Sequence, residues 1–480
     1  MKLVTLTKKE FKKFADKHEQ ITFHQTEEWA NLKANNGWEA HYVGLKDDKK
    51  IMAAALLLAK NVPIVKKKMF YSPRGFLIDY NDYDLLKEFT IEIKKYAKEH
   101  GAIFIKIDPY VEYVEHDNDG NVVEDGFNNK NAVDNLIKLG YKHYGFNLMQ
   151  DTLQPRWMHV IETKNKTLDD VMKDMESKTR QILRKNEKCG ITTREISRDE
   201  LPLFKDIMQH TSDRREFVDR PLSYYESMWD ALHDSGILKV LLAEIDFNEY
   251  KKNTEEELNQ NKEELEDRIN KKENNLLKMN DKKYEQSNKQ NKEAIERLEK
   301  QLEKIEELKK EHGEKTLLGG ILFLVYGNEV LSLYGGSTAK LMQFQSAYTV
   351  HFAGVKMAVE NNYDKYNFYG ITGDFRKENP LYGLFLFKKS FGGHVSELIG
   401  EFDLIISPFW YNTYNIAFSL YHGLKNLNEK ILSNILTYAN AAAALITLKK
   451  GAIRSMPSPK TILEFIKKEK EKERSDDLII

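Results

Sequence analysis

The chain of 480 residues has a single cysteine, Cys189, and a net charge of only −1. One cysteine excludes an internal disulfide framework and is typical of a protein in a reducing compartment. We interpret Cys189, which precedes a helix-ending glycine, as a buried or incidental thiol and not as a nucleophile. The low net charge excludes a protein that binds nucleic acid over its whole surface. Local basic clusters remain at residues 8–17, 66–68 and 178–188.

Long hydrophobic segments are also missing. Residues 1–14, MKLVTLTKKEFKKF, contain no apolar core of the kind found in signal peptides. The longest apolar run, residues 431–448, is interrupted by polar side chains. We therefore predict a buried or amphipathic helix there instead of a membrane span. A cytoplasmic location is expected.

The motifs of several enzyme classes are absent. No CxxC or HExxH spacing indicates a metal site, and no GxSxG sequence indicates a hydrolase. The glycine pairs at 319–320, 335–336 and 392–393 match neither a P-loop nor a dinucleotide fingerprint. Asp108, in the sequence KIDP after a predicted strand, is either a base or a turn aspartate before Pro109. The residues alone favour the turn.

Residues 251–312 form a highly charged insert without proline, glycine or cysteine. Its sparse apolar residues follow an approximate seven-residue rhythm, which predicts a coiled coil. They are Leu258, Leu265, Ile269, Leu276 and Met279 in the first half, and Ile295, Leu298, Leu302 and Ile305 in the second. The rhythm is weakest at residues 280–291, where we predict a turn between two antiparallel helices of roughly 45 Å each. Such an arm contacts a nucleic acid or a partner protein, or is a solvated spacer or dimerisation device.

The sequence on either side of the insert has the pattern of a mixed α/β protein. In the first half, strands are predicted at residues 41–45, 51–58, 68–71 and 103–107, with a helix at 83–100 that stops at Gly101. The order strand–strand–helix–strand returns after the insert. We therefore expect a structural duplication without a visible sequence repeat. Near the end, helices are predicted at 413–424 and 428–448, followed by a charged tail.

Seven short sequences occur in order along residues 23–393. They are FHQTEEWANLKANNGW at 23–38, YSPRGFL at 71–77, FIKIDP at 104–109, KTRQILRKNEKCG at 178–190, RREFVDRPLSYY at 214–225, LYGGS at 333–337 and YGITGDFRKENPLYGLFLFKKSFGG at 369–393. In this order and at these distances they resemble the Fem family of peptidoglycan interpeptide-bridge aminoacyltransferases. The insert fits, because several members carry a hairpin like the tRNA-binding arm of seryl-tRNA synthetase.

The resemblance implies both a fold and an activity. The fold would be α+β, with two acetyltransferase-like (GNAT) domains and an inserted antiparallel α-helical coiled-coil hairpin. The expected domains are residues 1–155, residues 156–248 with 314–411, the arm at 249–313 and a helical extension at 412–480. Members of the family move an amino acid from aminoacyl-tRNA to the stem peptide of a cell-wall precursor, either lipid II or UDP-MurNAc-pentapeptide.

The same resemblance assigns precursor-binding roles to four residues. Lys33, Arg220 and Tyr224 match family residues that contact precursor phosphates, and Tyr334 matches another precursor-contacting tyrosine. The chemistry agrees, since a pyrophosphate is well bound by a point cation, a planar guanidinium and a phenol donor.

Two further residues, Phe387 and Lys388, match the pair that the family uses in the transfer step. An ester carbonyl under attack by an amine develops negative charge, which a fixed cation stabilises. Lys389 is the neighbouring alternative for that lysine.

The leading hypothesis is an aminoacyltransferase that moves Gly, Ala or Ser and needs no cofactor, because the ester already carries the energy of transfer. One alternative is an acyl-CoA-dependent N-acyltransferase on the same fold, although no convincing Q/RxxGxG/A loop is present. Another is a non-catalytic protein that binds tRNA or the precursor. The sequence leaves open the amino acid, the acceptor, a peripheral contact with the inner face of the membrane, and the oligomeric state.

Overall fold

The computed structural model describes residues 1–62, 66–148, 153–215, 217–274 and 276–423, together with residue 437. Its strands are β1 Lys2–Thr5, β2 Glu39–Asp47, β3 Lys50–Asn61, β4 Lys68–Ser72, β5 Ala102–Ile107, β6 Glu112–Glu115, β7 Tyr141–His143, β8 Trp157–Glu162, β9 Ile191–Glu195, β10 Leu238–Asp246, β11 Lys315–Tyr326, β12 Glu329–Ser337, β13 Lys365–Gly370, β14 His394–Leu398 and β15 Phe402–Ile405. Its α-helices are α1 Lys8–Ala15, α2 Glu27–Ala34, α3 Tyr83–Glu99, α4 Lys130–Lys138, α5 Leu168–Asp174, α6 Ser177–Lys188, α7 Leu201–Arg215, α8 Leu222–Leu232, α9 Phe247–Glu273, α10 Asp281–His312, α11 Ala347–Glu360, α12 Tyr382–Lys389 and α13 Pro408–Gly423.

Polar side chains define where several helices begin. Thr7 and Glu10 form a capping box at the start of α1. Asp82 accepts a hydrogen bond from the backbone N–H of Leu85 at the start of α3. The predicted stop after α3 is confirmed, because Gly101 has a φ of +75°, a conformation that glycine adopts without a steric penalty. The apolar face of α3 is buried against the first sheet.

Two mixed sheets share one design. The first sheet has the order β1-β2-β3-β4-β5-β15-β7, in which β1 to β4 are antiparallel and β5 returns parallel to β4 after α3. The second sheet has the order β6-β14-β8-β13-β12-β11-β10-β9. Its strands β9 to β12 are antiparallel, and β13 returns parallel to β12 after α11. The predicted mixed α/β fold and its duplication are therefore confirmed by the topology.

Each half of the chain gives one strand to the sheet of the other half. β6 pairs with β14 at the edge of the second sheet. β15 lies between β5 and β7 in the first sheet. The domain ranges predicted from the sequence place β6 in the first domain and β15 in the second, whereas each strand pairs in the sheet of the other domain. These ranges stay a prediction. The exchange ties the two halves together through backbone hydrogen bonds.

One hydrophobic cluster spans the junction of the two halves. It joins Phe11 of α1 and Trp29 of α2 to Phe204 of α7, Tyr225 of α8 and Leu322 of β11. Two further clusters lie on the opposite faces of the sheets, one under α3 and one under α11. Burial of apolar surface contributes about 25 cal/mol per Å². The shared cluster therefore holds the halves in a fixed relation.

The charged insert forms two long helices, α9 and α10, that pack antiparallel. Near the base, the Nζ atom of Lys251 lies 2.7 Å from a carboxylate oxygen of Glu306. Further out, the Nζ atom of Lys262 lies 2.8 Å from Glu299. Exposed pairs of this kind contribute little stability but fix which residues face each other. The coiled-coil character of this packing stays a prediction.

The hairpin turns earlier than the sequence predicted. α9 ends at Glu273 and α10 begins at Asp281, so the predicted turn at residues 280–291 was wrong. The reason is a helix cap: the side chain of Asn280 accepts the backbone N–H of Lys283 at 2.9 Å. This bond satisfies a donor that the first turn of α10 would otherwise leave unpaired.

The base of the arm belongs to the globular core. Ile305 and Leu308 of α10 pack in one cluster with Leu318 of β11 and with Cys189. The prediction of a buried thiol is confirmed, and burial raises the pKa of Cys189. Any shortening of the arm must therefore keep these two positions on α10.

Helix α13 contains the first part of the predicted C-terminal extension. It packs on β5, where the rings of Tyr411 and Phe104 lie 5.5 Å apart. The predicted helix at 428–448 and the charged tail lie outside the described residues, apart from residue 437. None of the helices in the described part of the chain is both long and apolar enough to cross a membrane.

Candidate functional site

Four residues selected from the sequence meet at the junction of the two halves. Lys33 lies on α2, Arg220 lies two residues before α8, Tyr224 lies on α8 and Tyr334 lies on β12. Arg220 lies over the ring of Tyr224, with its guanidinium carbon 5.4 Å from the ring centroid. Tyr334 is near enough to Tyr224 to raise the pKa of its phenol, after the larger effect of burial. The structure thus brings together residues that are up to 301 positions apart in the sequence.

Local packing fixes the two cations of this group. The Nζ atom of Lys33 lies 4.2 Å from the ring centroid of Trp29, one helical turn earlier. Arg220 follows Asp219, whose buried carboxylate accepts hydrogen bonds from Lys205 and from the phenol of Tyr225, the latter at 2.6 Å. This anchor holds the segment in front of α8 and leaves the exposed Arg220 side chain directed toward the group.

The electrostatics of the group favour an anion. Burial, followed by the nearby charges of Arg220 and Lys60, lowers the pKa of Lys33 to about 8. Two cations that repel each other in a partly desolvated space are stabilised when an anion binds between them. Tyr224 and Tyr334 add phenol donors beside them. The arrangement is suited to bind a phosphate or pyrophosphate.

Lys388 lies in a different setting, buried beneath the end of β13. Its Nζ atom donates to the carbonyl oxygens of Phe368 at 2.7 Å and Gly370 at 2.8 Å, and lies 3.4 Å from that of Tyr369. Burial alone lowers its pKa to about 7. The alternative, Lys389, forms an ion pair with Asp119 at the surface instead.

Phe387, the other member of the predicted pair, packs among aromatic rings. Its ring centroid lies 4.8 Å from that of Tyr348 and 5.3 Å from that of His351. This packing fixes α12 against α11. Phe387 therefore supports the neighbourhood of Lys388 and lies apart from the four residues that meet at the junction.

The sequence did not select Arg74, which forms a buried pair with Asp108. The backbone N–H of Arg74 donates to one carboxylate oxygen of Asp108 at 2.8 Å, and its guanidinium lies 3.7 Å from the other. That second oxygen accepts no hydrogen bond of normal geometry among the described residues. Burial outweighs the attraction of Arg74 and raises the pKa of Asp108 to about 6. The sequence did contain a signal for Arg74, because this residue lies within YSPRGFL, one of the seven sequences that carry the family resemblance.

Tyr369 connects the two parts of the site. Burial raises the pKa of its phenol. The phenol is also close enough to Arg74, Tyr334, Asp108 and Tyr110 for each of them to shift this pKa. These side chains therefore form one polar group, which we call the cleft, with cations at the end formed by α2 and α8 and a carboxylate at the end formed by the first sheet. The described residues contain no cluster of His, Cys, Asp and Glu side chains that could hold a metal ion.

Comparisons with known proteins agree with this architecture. The FemAB family profile matches residues 6–418. The aminoacyltransferase FemA of Staphylococcus epidermidis is 36% identical over 421 residues, which cover 86% of this chain and 98% of that protein. FemA of Staphylococcus aureus is 33% identical over 440 residues, which cover 90% and 100%. The crystal structure of FemX superposes with a TM-score of 0.73 at 31% identity, and covers 86% of this chain and 99% of that one.

A match along most of the chain, at this level of identity, defines the class of protein: an aminoacyltransferase. The chain belongs to the FemAB family. Both predictions made from the seven short sequences are thereby confirmed.

The electrostatic coupling of Lys33 and Arg220 can be measured. We expect Arg220→Gln to raise the pKa of Lys33 above about 8, because a repelling charge is removed. NMR titration of 13C-dimethylated lysines measures this pKa, with Arg198→Gln, whose partner is Asp230, as the matched control. An unchanged pKa in Arg220→Gln would contradict the coupling. The lowered pKa also makes the stability of the unsubstituted protein depend on pH. Between about pH 8 and 10.5, Lys33 keeps its proton in the unfolded state and loses it in the folded state. The contribution of Lys33 to the free energy of unfolding therefore rises with pH in this range.

Proposed function

We propose that this enzyme moves Gly, Ala or Ser from aminoacyl-tRNA to the stem peptide of a peptidoglycan precursor during synthesis of the interpeptide bridge. The acceptor is lipid II or UDP-MurNAc-pentapeptide. The observation that carries this proposal is the meeting of Lys33, Arg220, Tyr224 and Tyr334 beside the Arg74–Asp108 pair. With lipid II as the acceptor, the enzyme would work at the inner face of the membrane.

The cationic end of the cleft suits the pyrophosphate of such a precursor. Arg220 provides a planar fork for two phosphate oxygens, and Lys33 provides a point charge. A bound pyrophosphate would raise the pKa of Lys33 from about 8, because its negative charge favours the charged lysine. Tyr224 and Tyr334 would donate further hydrogen bonds to the phosphate oxygens. The stem peptide would then extend toward Asp108.

The carboxylate end of the cleft suits the acceptor amine. The amine nitrogen attacks the ester carbonyl of the aminoacyl-tRNA, so that a C–N bond forms and the ester C–O bond breaks. The carboxylate oxygen of Asp108 that faces the Arg74 guanidinium, with a pKa near 6, accepts the proton that the amine loses. The proton then passes to the leaving ribose oxygen, and tRNA departs as an alcohol. Phe387 and Lys388 support this transfer step from the end of β13.

The remaining architecture fits the same proposal. Each sheet would be an acetyltransferase-like domain, since four antiparallel strands followed by a helix and a parallel strand occur in both. The domains would be those predicted from the sequence, apart from the exchanged strands β6 and β15. The arm would be a coiled coil that contacts tRNA.

The function is tested with purified full-length protein and tRNAs charged separately with labelled Gly, Ala or Ser. Each is incubated with UDP-MurNAc-pentapeptide or with lipid II in vesicles. We expect label on the precursor from at least one aminoacyl-tRNA. Transfer from acetyl-CoA without any transfer from aminoacyl-tRNA would indicate an acyl-CoA enzyme. Precursor binding without transfer from either donor would indicate a binding protein.

Precursor binding should depend on the two cations. We expect Lys33→Ala and Arg220→Ala each to weaken binding of UDP-MurNAc-pentapeptide by about 1.5–3 kcal/mol, because a charged hydrogen bond to phosphate is lost. Isothermal titration calorimetry measures the affinity. Lys95→Ala is the control, since Lys95 is exposed on α3 and pairs only with Glu92 among the described residues. If both variants bind the precursor with native affinity, Lys33 and Arg220 do not contact it and the assignment is wrong.

The arm should serve tRNA and not the precursor. We expect excision of residues 262–297, closed by a short Gly/Ser bridge, to raise the KM for aminoacyl-tRNA while precursor affinity and thermal stability stay native. The longer excision of residues 252–311 is unsuitable, because it removes Ile305 and Leu308 from the core. The tRNA contribution should weaken as salt rises, since it comes from lysines near phosphates.

Solution scattering on the same variant separates the two roles of the arm. If tRNA use stays native while an oligomer becomes a monomer, the arm is an assembly device and the tRNA assignment is wrong.

A further inference from the structure

The last three residues of β13 depart from regular strand structure. The parallel pairing with β12 ends at Leu331 and Asn367, and the pairing with β8 shifts register between Asn367 and Gly370. Within this break, Tyr369 has a φ of +63°. An aromatic residue rarely adopts this left-handed conformation, and it persists only where its surroundings enforce it.

Two buried side chains enforce the conformation of Tyr369. Asn367 accepts the backbone N–H of Tyr369 at 2.7 Å through its side-chain oxygen. Lys388 donates to the carbonyls of Phe368 and Gly370, on either side of it, and approaches that of Tyr369. These carbonyls lie beyond the end of the ladder with β12, so the ammonium group supplies donors that a neighbouring strand no longer provides. All three N–H donors of Lys388 are thus directed at the backbone.

The conformation directs the phenol of Tyr369 into the cleft. Its ring packs in one cluster with Tyr110, Met158 and Leu398. Its hydroxyl donates to the side-chain oxygen of Gln154. A phenol oxygen that donates its proton still carries lone pairs that accept hydrogen bonds. Those lone pairs lie in the electrostatic field of Arg74, Asp108 and Tyr334.

We propose that Tyr369 contacts the reacting groups of the transfer step and that Lys388 is a positioning residue that acts through Tyr369. The inference rests on the proposed function. The phenol oxygen of Tyr369 accepts a hydrogen bond from the attacking amine and aligns it, while Asp108 takes the other proton. Tyr369 itself neither gains nor loses a proton. A direct role for Lys388 at the ester would require it to release backbone carbonyls that it already binds.

A double-mutant cycle tests this assignment, with Tyr369→Phe, Lys388→Met and both together. We expect Lys388→Met to lower kcat on the order of 100-fold, because misplacement of a reacting contact has this effect. Tyr369→Phe should lower kcat as well, and neither should change the KM for the precursor. Added to Tyr369→Phe, the lysine change should cause little further loss, because both act through one contact. If the double variant loses the product of the two single losses, the residues act independently and the proposal is wrong.

Two further measurements separate a positioning role from simple damage to the fold. With 3-fluorotyrosine at position 369, Lys388→Met should shift the 19F resonance, whereas Lys389→Met, which removes the surface pair with Asp119, should not. An unshifted resonance in Lys388→Met would overturn the proposal. Lys388→Arg should restore part of kcat, since a guanidinium also donates to carbonyls. If Lys388→Met does not fold, Lys388→Arg replaces it in the cycle.

These outcomes are distinct from failure of the proposed function. A wild-type protein that transfers nothing from any aminoacyl-tRNA contradicts the function itself. An active wild type with a fully active Tyr369→Phe variant contradicts only the role of Tyr369.

Discussion

The exchange of β6 and β15 between the two sheets is the constraint on which the rest of this structure depends. A site that draws Lys33, Arg74 and Asp108 from one half and Tyr334 and Tyr369 from the other requires a fixed distance between the halves. Two domains joined only by a linker move relative to each other unless their interface is large and apolar. Here each half completes the sheet of the other, so moving the halves apart would break strand hydrogen bonds.

Each exchange point contains a buried carboxylate with a cation. Beside β6, Glu397 on β14 accepts hydrogen bonds from Arg156 and from His116, the latter at 2.6 Å. On β15, Asp403 lies 3.1 Å from the Nζ atom of Lys106 and accepts a hydrogen bond from Tyr144.

Buried ion pairs add little net stability, because desolvation offsets most of their attraction. Removal of one partner, however, leaves an unpaired buried charge and is strongly destabilising. These pairs therefore fix the register of the exchanged strands more than they strengthen the fold. The paired strands and buried ion pairs thus oppose separation of the halves, which suits a reaction whose main requirement is the alignment of two large substrates.

Much of the fold was predictable from local signals. The helix at 83–100 was visible because its apolar spacing and Gly101 act within one element. The antiparallel arm was visible because sparse apolar residues recur about every seven positions along a charged segment. The turn of the arm was misplaced because the cap at Asn280 depends on one side chain, which a weak seven-residue rhythm does not reveal. The strand exchange was not predictable, since β6 and β15 have only four residues each and nothing in a short strand specifies its partner.

The sequence by itself determined the family and the duplicated mixed α/β pattern, because seven short sequences in order carry the resemblance and the order of strands and helices repeats. The resemblance in turn nominated Lys33, Arg220, Tyr224, Tyr334, Phe387 and Lys388 as site residues. Only the tertiary structure decided where those residues lie and what they contact. It brought the first four together, buried Lys388 against the carbonyls of β13, and placed Arg74 and Tyr369 in the same polar group. The physical reason is that burial and long-range contacts set the charge, donors and accessible directions of a side chain, and neither can be read from its neighbours in the sequence.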